Sequence, residues 1–249
     1  MVTDNENPTE ALRDRLKDVL LSNIYYKSSE PKHKAIKSEA SVLILLDRRE
    51  DEWYVFLTQR SEKLRTYAGE VSFPGGKREP SDQTFIETAL REAHEETGIP
   101  FQNVEVIGVC MPILSKLQVF VHPVFAYLKT PFDPQPNDEV QKCFWLPLRY
   151  FLLEKYQKMV ILGPQNLRLH KFAFPGDVVY GLTAHLCILA AMLVINEYPE
   201  FPFIIYEITA EDRRKPITQF VREHFDIEYK TNLNFVLDLQ EYSQKGKAK

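Results

Sequence analysis

Apolar residues recur at two different spacings along the first half of the chain. A spacing of three and four over Pro8 to Leu21 predicts an amphipathic opening helix. Extended apolar runs follow at Glu39 to Asp47 and at Trp53 to Thr58, with the charged segment Arg48 to Glu52 between them. Two strand-like runs joined by a charged turn predict an early β-hairpin. Four shorter runs are also predicted to be strands: Val71–Phe73, Val104–Met111, Leu117–Tyr127 and Lys142–Leu146.

The segment between Pro80 and Gly98 has the pattern of a surface helix. Ser81 and Asp82 near its start predict an N-cap, and Gly98 predicts a left-handed end. One arc of this helix is apolar and is expected to face a sheet; it comprises Ile86, Ala89, Leu90 and Ala93. A different arc is acidic, at the spacing of residues that share one helical turn, and it comprises Glu92, Glu95 and Glu96.

The second half of the chain contains a long apolar stretch. Val178 to Asn196 has no formally charged residue, and its length approaches the roughly 18 residues of a membrane span. It also contains polar residues such as Thr183, and no basic flank follows, so we predict a buried helix over Leu182 to Tyr198 and no membrane span. A further helix is predicted over Pro216 to Phe225. Helices interleaved with strands indicate the α/β class.

Charge and cysteine content exclude two kinds of protein. The formal net charge is −4, and a general nucleic-acid binder needs a basic face. The three cysteines are odd in number and widely spaced, which favours neither a disulfide framework nor a CxxC metal site. Any anionic substrate must therefore be held by local cations.

The acidic arc suggests a metal site. Carboxylates on one helical turn repel one another, and a hard divalent cation such as Mg²⁺ prefers their oxygens. The alternative is a solvated acidic face. Gly75 and Gly76 precede the helix, where glycine lets backbone approach a ligand closely, and Lys77 and Arg78 follow them. A glycine turn and two cations beside an acidic cluster are typical of a site where metal bridges carboxylates to a diphosphate.

The sequence from Gly76 to Ile99 resembles the Nudix box, whose pattern is G-x5-E-x7-R-E-U-x-E-E-x-G-U with U a bulky aliphatic residue. The matching positions are Gly76, Arg91, Glu92, Glu95, Glu96, Gly98 and Ile99. The resemblance implies the Nudix fold, an α/β/α sandwich around a mixed β-sheet. It also implies Mg²⁺ or Mn²⁺ held by Glu92, Glu95, Glu96 and the backbone at Gly76, with a structural role for Arg91.

The first half of the box departs from the family pattern. Asp82 replaces the first glutamate, one extra residue precedes Arg91, and Ala93 stands where a larger aliphatic residue is usual. These departures leave the ion-pair partner of Arg91 open.

A second resemblance lies upstream, in Leu57-Thr58-x-Arg60-Ser61-x3-Arg65-x3-Gly69-x3-Phe73-Pro74-Gly75-Gly76. This run is similar to the additional signature of the coenzyme A diphosphatase branch of Nudix enzymes. Arginine suits bidentate phosphate recognition, and coenzyme A carries a 3′-phosphate besides its diphosphate. Arg60 and Arg65 are therefore predicted to bind substrate, together with Lys77, Arg78 and Gly75; the alternative for the two arginines is a pair of surface charges.

Glu139 is the candidate general base. The run Asn137 to Val140, followed by Trp145-Leu146-Pro147-Leu148, resembles the family's late acidic residue and the strand after it. A base needs hydrogen-bond reach to the attacking water, and the alternative is an exposed turn carboxylate. Glu95 and Glu139 are the predicted catalytic residues.

The predicted function is hydrolysis of coenzyme A or acyl-coenzyme A to 3′,5′-ADP and a 4′-phosphopantetheine species. The alternatives are an ADP-ribose or dinucleotide pyrophosphatase and a Nudix-fold binding module without turnover. The resemblance implies a peroxisome, but the final residues Lys247-Ala248-Lys249 are not an SKL-like address, so cytosol is the alternative. Residues 1–37 are predicted to form a helix and the basic linker Pro31–Lys37, 38–198 a Nudix domain, and 199–249 an extension that ends in a polar tail.

Overall fold

A computed structural model describes residues 8–16, 19–20, 38–115, 119–162, 167–203 and 208–224. The predicted linker Pro31–Lys37, the first two residues of the predicted strand at Leu117 and the tail Gln244–Lys249 lie outside these ranges. Within them, the chain forms a large mixed sheet, a small antiparallel sheet and helices on both sides of the large one.

The large sheet is organised around one parallel pair of strands. Its strands are β1 (Ser38–Arg49), β2 (Glu52–Arg60), β3 (Val71–Ser72), β4 (Gly75–Lys77), β5 (Val104–Val109), β6 (Ile113–Leu114), β7 (Val119–Leu128) and β8 (Val140–Pro147). Its order is β3-β2-β1-β7-β5, with β4 on β1, β6 on β7 and β8 on β2. Strands β1 and β7 run parallel, and the other pairs are antiparallel. The predicted hairpin is confirmed, because Arg49 pairs with Glu52.

Helix α2 (Phe85–Thr97) covers one face of the large sheet. Ala89 and Ala93 are fully buried and pack against Leu43 and Leu45 of β1. Strand side chains alternate between faces, so Ile44, which lies between those two leucines, points into the opposite core. The predicted apolar arc of α2 is confirmed, since Ile86 and Leu90 also pack against this cluster.

The opposite face of the sheet is covered by the remaining helices. These are α1 (Pro8–Leu16), α3 (Gly181–Ala191) and α4 (217–224). Leu12 and Leu16 of α1 and Phe220 of α4 are buried in the same core cluster as Ala184 and residues 186–194. Layers of helix on both faces of a mixed sheet confirm the predicted α/β/α sandwich.

A small antiparallel sheet was not predicted from the sequence. It contains β9 (Gln157–Leu162), β10 (Leu167–Phe174) and β11 (Asp177–Tyr180), in the order β11-β10-β9. Alternate side chains of β10 are buried, among them His170, Phe172 and Phe174, a period of two that the sequence already contains. The apolar stretch from Val178 is therefore split, with its first three residues in β11 and the helix beginning at Gly181.

The predicted helix over Leu182 to Tyr198 is present as α3 followed by a π-helical turn, Met192–Asn196. Residues 184–194 are buried, as expected of an uncharged helix inside a packed domain. In the part of the chain that the structure describes, no helix combines the length and apolar character needed to cross a bilayer.

The start of α2 differs from the prediction. Thr84, not Ser81 or Asp82, is the N-cap, and its side-chain oxygen accepts a hydrogen bond from the Glu87 backbone N–H at 3.1 Å. The Glu87 carboxylate in turn accepts from the backbone N–H of Gln83 at 2.6 Å. Thr-x-x-Glu is the sequence signature of a capping box, so the sequence contains a local signal for this N-cap. The predicted end is confirmed, because Gly98 is left-handed with φ of 70°.

Asp82 instead ties the loop before α2 to the middle of that helix. Its two carboxylate oxygens accept from Nε and Nη2 of Arg91 at 3.1 and 3.0 Å. The Thr88 hydroxyl and the Glu79 backbone N–H also donate to it. Hydrogen bonding from Arg91 lowers the pKa of Asp82 to about 2 despite its burial. The partner of Arg91, which the sequence left open, is the aspartate that replaces the family's glutamate.

The predicted boundary at residue 198 stays a prediction. Beyond it, Phe201, Phe203 and Phe220 are almost completely buried, and they belong to the same core cluster as α3. The described part of the predicted extension therefore contributes to the core of the domain.

Removal of the α2 cap should destabilise the protein. We expect Thr84→Ala to lower the free energy of unfolding by about 1 kcal/mol, because the Glu87 N–H loses its acceptor. The matched control is Ser81→Ala, an exposed change that should cost less than about 0.5 kcal/mol. Urea denaturation measures both, and equal effects of the two substitutions would contradict the assignment of the cap.

The Asp82–Arg91 pair should make stability depend on pH in acid. The pKa of Asp82 is about 2 in the folded state against an ordinary value of 3.8, so the stabilisation is complete above 3.8 and is lost as the pH falls toward 2. At neutral pH it amounts to about 2 kcal/mol. The free energy of unfolding of the wild type should exceed that of Asp82→Asn by this amount at pH 7, and the difference should disappear by pH 2. Urea denaturation at a series of pH values measures it. An exposed control, Asp138→Asn, should show no such convergence.

Candidate active site

The three predicted metal ligands, Glu92, Glu95 and Glu96, lie on one turn of α2, here called the acidic turn, but they differ in exposure. The side chain of Glu96 is 7% exposed and that of Glu92 19%, whereas that of Glu95 is 54% exposed. Glu92 and Glu96 therefore face the protein, and Glu95 lies at the solvent edge.

The glycine turn, Gly75 and Gly76 at the start of β4, lies directly against these carboxylates. The backbone N–H of Gly75 donates to Oε2 of Glu96 at 3.0 Å. A Cβ atom at Gly76 would lie 2.5 Å from the carboxylate of Glu92, closer than any side chain permits. Gly75 has φ of 153°, and a Cβ there would lie 2.4 Å from the Ser41 carbonyl oxygen. Both glycines are required, because only backbone without a side chain fits between β1 and the acidic turn.

Two arginines compensate the charge of the acidic turn. Nη1 of Arg91 lies 3.1 Å from Oε1 of Glu92 and 3.1 Å from Oε2 of Glu95. Nη1 of Arg60, at the end of β2, lies 3.9 Å from Oε1 of Glu96. The Nε of Arg60 is buried without a hydrogen-bond acceptor among the described residues. Arg60 thus brings a partly buried guanidinium to the acidic turn, with donor capacity that an oxyanion could use.

Burial and mutual repulsion disfavour the charged forms of Glu92 and Glu96. Burial raises the pKa of Glu96 to about 7, and the charges of Glu92 and Glu139 add to the increase, although Gly75 and Arg60 oppose it. Burial also raises the pKa of Glu92, with contributions in the same direction from Glu95 and Glu139 and opposition from Arg91. The site therefore needs more positive charge than its arginines supply.

The side chains present suit a hard divalent cation. Glu92 and Glu96 offer oxygen ligands beside backbone that a Cβ would block, and each already lies next to a guanidinium. In the described residues, no three side chains of His, Cys, Asp or Glu converge as a ready-made metal site. Coordination by Glu92 and Glu96 would therefore require these carboxylates to turn from their arginine partners toward a shared cation.

The candidate base is brought to the site by backbone hydrogen bonds. The N–H groups of Gln135 and Asn137 donate to the carbonyls of Thr97 and Glu96 at the end of α2, at 2.8 and 3.3 Å. The carbonyl of Glu139 accepts from Ser61, which follows Arg60. The loop before β8 thus bridges α2 and β2. Its exposed Glu139 lies near enough to contribute to the raised pKa values of Glu92 and Glu96.

The remaining predicted cations differ in their surroundings. Lys77 is exposed, and its carbonyl accepts from Nη2 of Arg91 at 3.1 Å. The guanidinium of Arg78 donates to the carbonyl oxygens of Asp82 and Gln83 and lies 5.1 Å above the Phe85 ring. Arg65 is exposed in the loop 61–69. Of the four predicted cations, Arg60 lies at the acidic turn. Lys77 and Arg65 lie at the surface, and Arg78 binds carbonyl groups of the loop that follows it.

The small sheet braces this site, which the sequence analysis did not anticipate. The Tyr180 hydroxyl of β11 donates to the Glu70 carboxylate at the base of the loop 61–69. The Thr183 hydroxyl of α3 donates to the Val71 carbonyl at 3.1 Å. Lys142 of β8 pairs with Asp177 of β11 at 2.8 Å. The alternation in β10 would have identified the sheet, but no local signal identifies these long-range partners.

The comparisons with known proteins agree with this geometry. The NUDIX domain family matches residues 37–160, which include the glycine turn, α2 and the Glu139 loop. A peroxisomal coenzyme A diphosphatase of Mus musculus is 38% identical over 170 residues, which are 65% of this chain and 72% of that protein. A peroxisomal coenzyme A diphosphatase of Caenorhabditis elegans is 34% identical, with 66% and 72% covered. A mitochondrial Nudix hydrolase of Arabidopsis thaliana is 37% identical, with 70% and 64% covered.

The match is centred on the segments that form the site, and this chain covers most of the length of the mouse and nematode relatives. The predicted family and reaction type are thereby confirmed: the chain belongs to the Nudix family and is a hydrolase that acts on pyrophosphate bonds.

Proposed function

We propose that this protein hydrolyses the diphosphate of coenzyme A and its acyl derivatives, releasing 3′,5′-ADP and a 4′-phosphopantetheine species. The supporting observation is the position of Arg60, whose guanidinium lies 3.9 Å from Glu96 while the loop that carries Arg65 begins directly after it. Cations next to the metal ligands suit a substrate with more phosphate than one diphosphate. The names of the mouse and nematode relatives support the same substrate.

The proposed metal ligands are Glu92, Glu95 and Glu96 with the backbone at Gly76. Mg²⁺ or Mn²⁺, when bound, would polarise the diphosphate oxygens and lower the pKa of a water molecule. Arg91 holds the loop at Asp82 and Lys77, so that the glycine turn stays against the helix. The exposed position of Glu95 fits a ligand or catalytic group that completes its contacts only in the loaded enzyme.

The substrate would be oriented by residues around the glycine turn. Arg60 would bind an oxygen of the diphosphate. Gly75 is also predicted to bind substrate, and its close approach to β1 and its bond to Glu96 favour a role in shaping the turn. Arg65 and Lys77 lie at the surface, where they would bind outlying phosphate. Arg78 was also predicted to bind substrate, and its contacts with Asp82 and Gln83 favour a role in holding the loop.

Glu139 is proposed as the base. It would accept a proton from the attacking water as the water oxygen bonds to one phosphorus and the bridging oxygen leaves with the other. The backbone contacts of the 135–139 loop with α2 and Ser61 hold this carboxylate near the acidic turn. Its exposure agrees with a group that must reach a water molecule.

The compartment stays a prediction, with peroxisome first and cytosol second. The mouse and nematode relatives are named as peroxisomal and the Arabidopsis thaliana relative as mitochondrial. Fluorescence imaging of the protein with a free C-terminus would decide between these compartments.

Loss of the most buried ligand should abolish turnover without unfolding the protein. We expect Glu96→Gln to lower kcat by at least about 100-fold, since even the groups that orient metal ligands contribute about 10 to 100-fold. Its Mn²⁺ affinity, measured by calorimetry, should fall as well. The matched control is Glu105→Gln on β5, which pairs with Arg13 away from the site. Near-wild-type rates and Mn²⁺ binding in Glu96→Gln would refute the metal assignment.

Substitution of Arg60 and Arg65 should distinguish coenzyme A from the other candidate substrates. Arg65→Gln should raise KM about tenfold for coenzyme A and leave ADP-ribose nearly unaffected, because only coenzyme A carries the 3′-phosphate. Arg60→Gln should impair every diphosphate substrate, because Arg60 lies at the acidic turn. The control is Lys63→Gln, an exposed cation of the same loop.

A panel of coenzyme A, acyl-coenzyme A, ADP-ribose and NADH, with and without Mg²⁺, measures these effects. Unchanged coenzyme A hydrolysis after both arginine substitutions would contradict the substrate assignment. Faster wild-type turnover of ADP-ribose or NADH would favour the other pyrophosphatases, and binding without products would favour a silent module.

A further inference from the structure

Tyr67 has an unusual backbone conformation for its residue type. Its φ is 57°, in the left-handed region that a bulky non-glycine residue rarely adopts. Conformations of this kind cost free energy, and they persist only where the surrounding structure enforces them, often at ligand sites. The residue is also 47% exposed, so burial of its ring in the core does not explain the conformation.

The loop that carries Tyr67 starts and ends at the active site. Arg60 at its start lies 3.9 Å from Glu96, and Val71 at its end is separated from Gly75 by three residues. The loop is closed at its base, because the Arg60 N–H donates to the Glu70 carbonyl and the Gly69 N–H donates to the Arg60 carbonyl. The loop is therefore anchored at both ends next to the acidic turn.

The small sheet holds this loop in place. The Glu70 N–H donates to the Tyr67 carbonyl at 3.2 Å, and the Glu70 carboxylate accepts from the hydroxyl of Tyr180. Tyr180 is itself 37% exposed. Burial and the bond to Glu70 raise the pKa of Tyr180 to about 12, and the nearby Tyr67 contributes to the increase. Tyr180 therefore braces the end of the loop that carries the exposed Tyr67.

We propose that Tyr67 is the stacking platform for the adenine base of the substrate. Adenine is a flat aromatic ring, and an exposed phenol fixed by its backbone offers a matching face at little cost in side-chain entropy. The pantetheine half of the substrate contains no ring. Arg65, two residues earlier on the same exposed tip, would bind the 3′-phosphate of the ribose that carries this base.

The assignment rests on the proposed function, and it adds a specificity-determining residue to it. The strain at Tyr67 makes a sharp test possible, because asparagine accepts the left-handed region far better than tyrosine does and has no ring. Tyr67→Asn therefore removes the platform without forcing the loop out of its conformation. Tyr67→Phe keeps the ring and serves as the conservative control.

Calorimetry with the two product halves, 3′,5′-ADP and 4′-phosphopantetheine, measures the effect in the presence of Mg²⁺. Tyr67→Asn should bind 3′,5′-ADP about tenfold more weakly and 4′-phosphopantetheine as wild type does, with an unchanged or higher Tm. KM for coenzyme A should rise by a similar factor with little change in kcat. Tyr67→Phe should restore both values to within about twofold of wild type.

Three results would overturn the proposal: equal affinity of Tyr67→Asn and wild type for 3′,5′-ADP, an equal loss for both product halves, or a loss that Tyr67→Phe does not restore. The proposed function fails by a different observation, namely that the wild type does not hydrolyse coenzyme A. In that case the adenine platform is tested with 5′-AMP against ribose 5-phosphate, using the same three proteins.

Discussion

Repulsion among carboxylates on one helical turn is the constraint around which this structure is organised. Glu92 and Glu96 are held against a backbone turn that leaves no room for a side chain at Gly76. Burial makes that repulsion costly, as the raised pKa values of both groups indicate. The position is tolerable only where positive charge is supplied, and a divalent cation matches that requirement.

Arg91 and Arg60 both compensate this charge, but their contacts differ. Arg91 binds Asp82 with two hydrogen bonds and also reaches Glu92 and Glu95. Arg91 therefore connects the loop before α2 to the acidic turn, which is a structural role. Arg60 has a longer contact with Glu96 and a buried Nε without an acceptor among the described residues. A partly buried guanidinium with an unsatisfied donor suits the substrate-binding role proposed for Arg60.

The small sheet and the start of α3 support segments that lie outside the Nudix box. Tyr180 and Thr183 hold the loop 61–69 and the start of β3, while Lys142 joins β8 to Asp177. Phe172 and Phe174 of β10 anchor this sheet in the core. Rigid elements thus support Arg60 at the end of β2 and the loop 61–69 with Arg65 and the strained Tyr67. Such support is what the substrate-binding roles proposed for these residues require.

Local patterns in the sequence determined the hairpin β1–β2, the apolar and acidic arcs of α2 and the left-handed Gly98, because these features depend on spacing within a few residues. The motif likewise identified the family and the acidic turn. The alternation of β10 and the Thr-x-x-Glu signature at Thr84 are also local patterns, and they correspond to elements that were not predicted. Only the tertiary structure decided that Asp82 meets Arg91, nine residues later, and which groups meet across longer separations: Arg60 with Glu96 and Tyr180 with Glu70. No spacing rule encodes these pairs, since they arise where the packing of sheets and helices brings distant segments together.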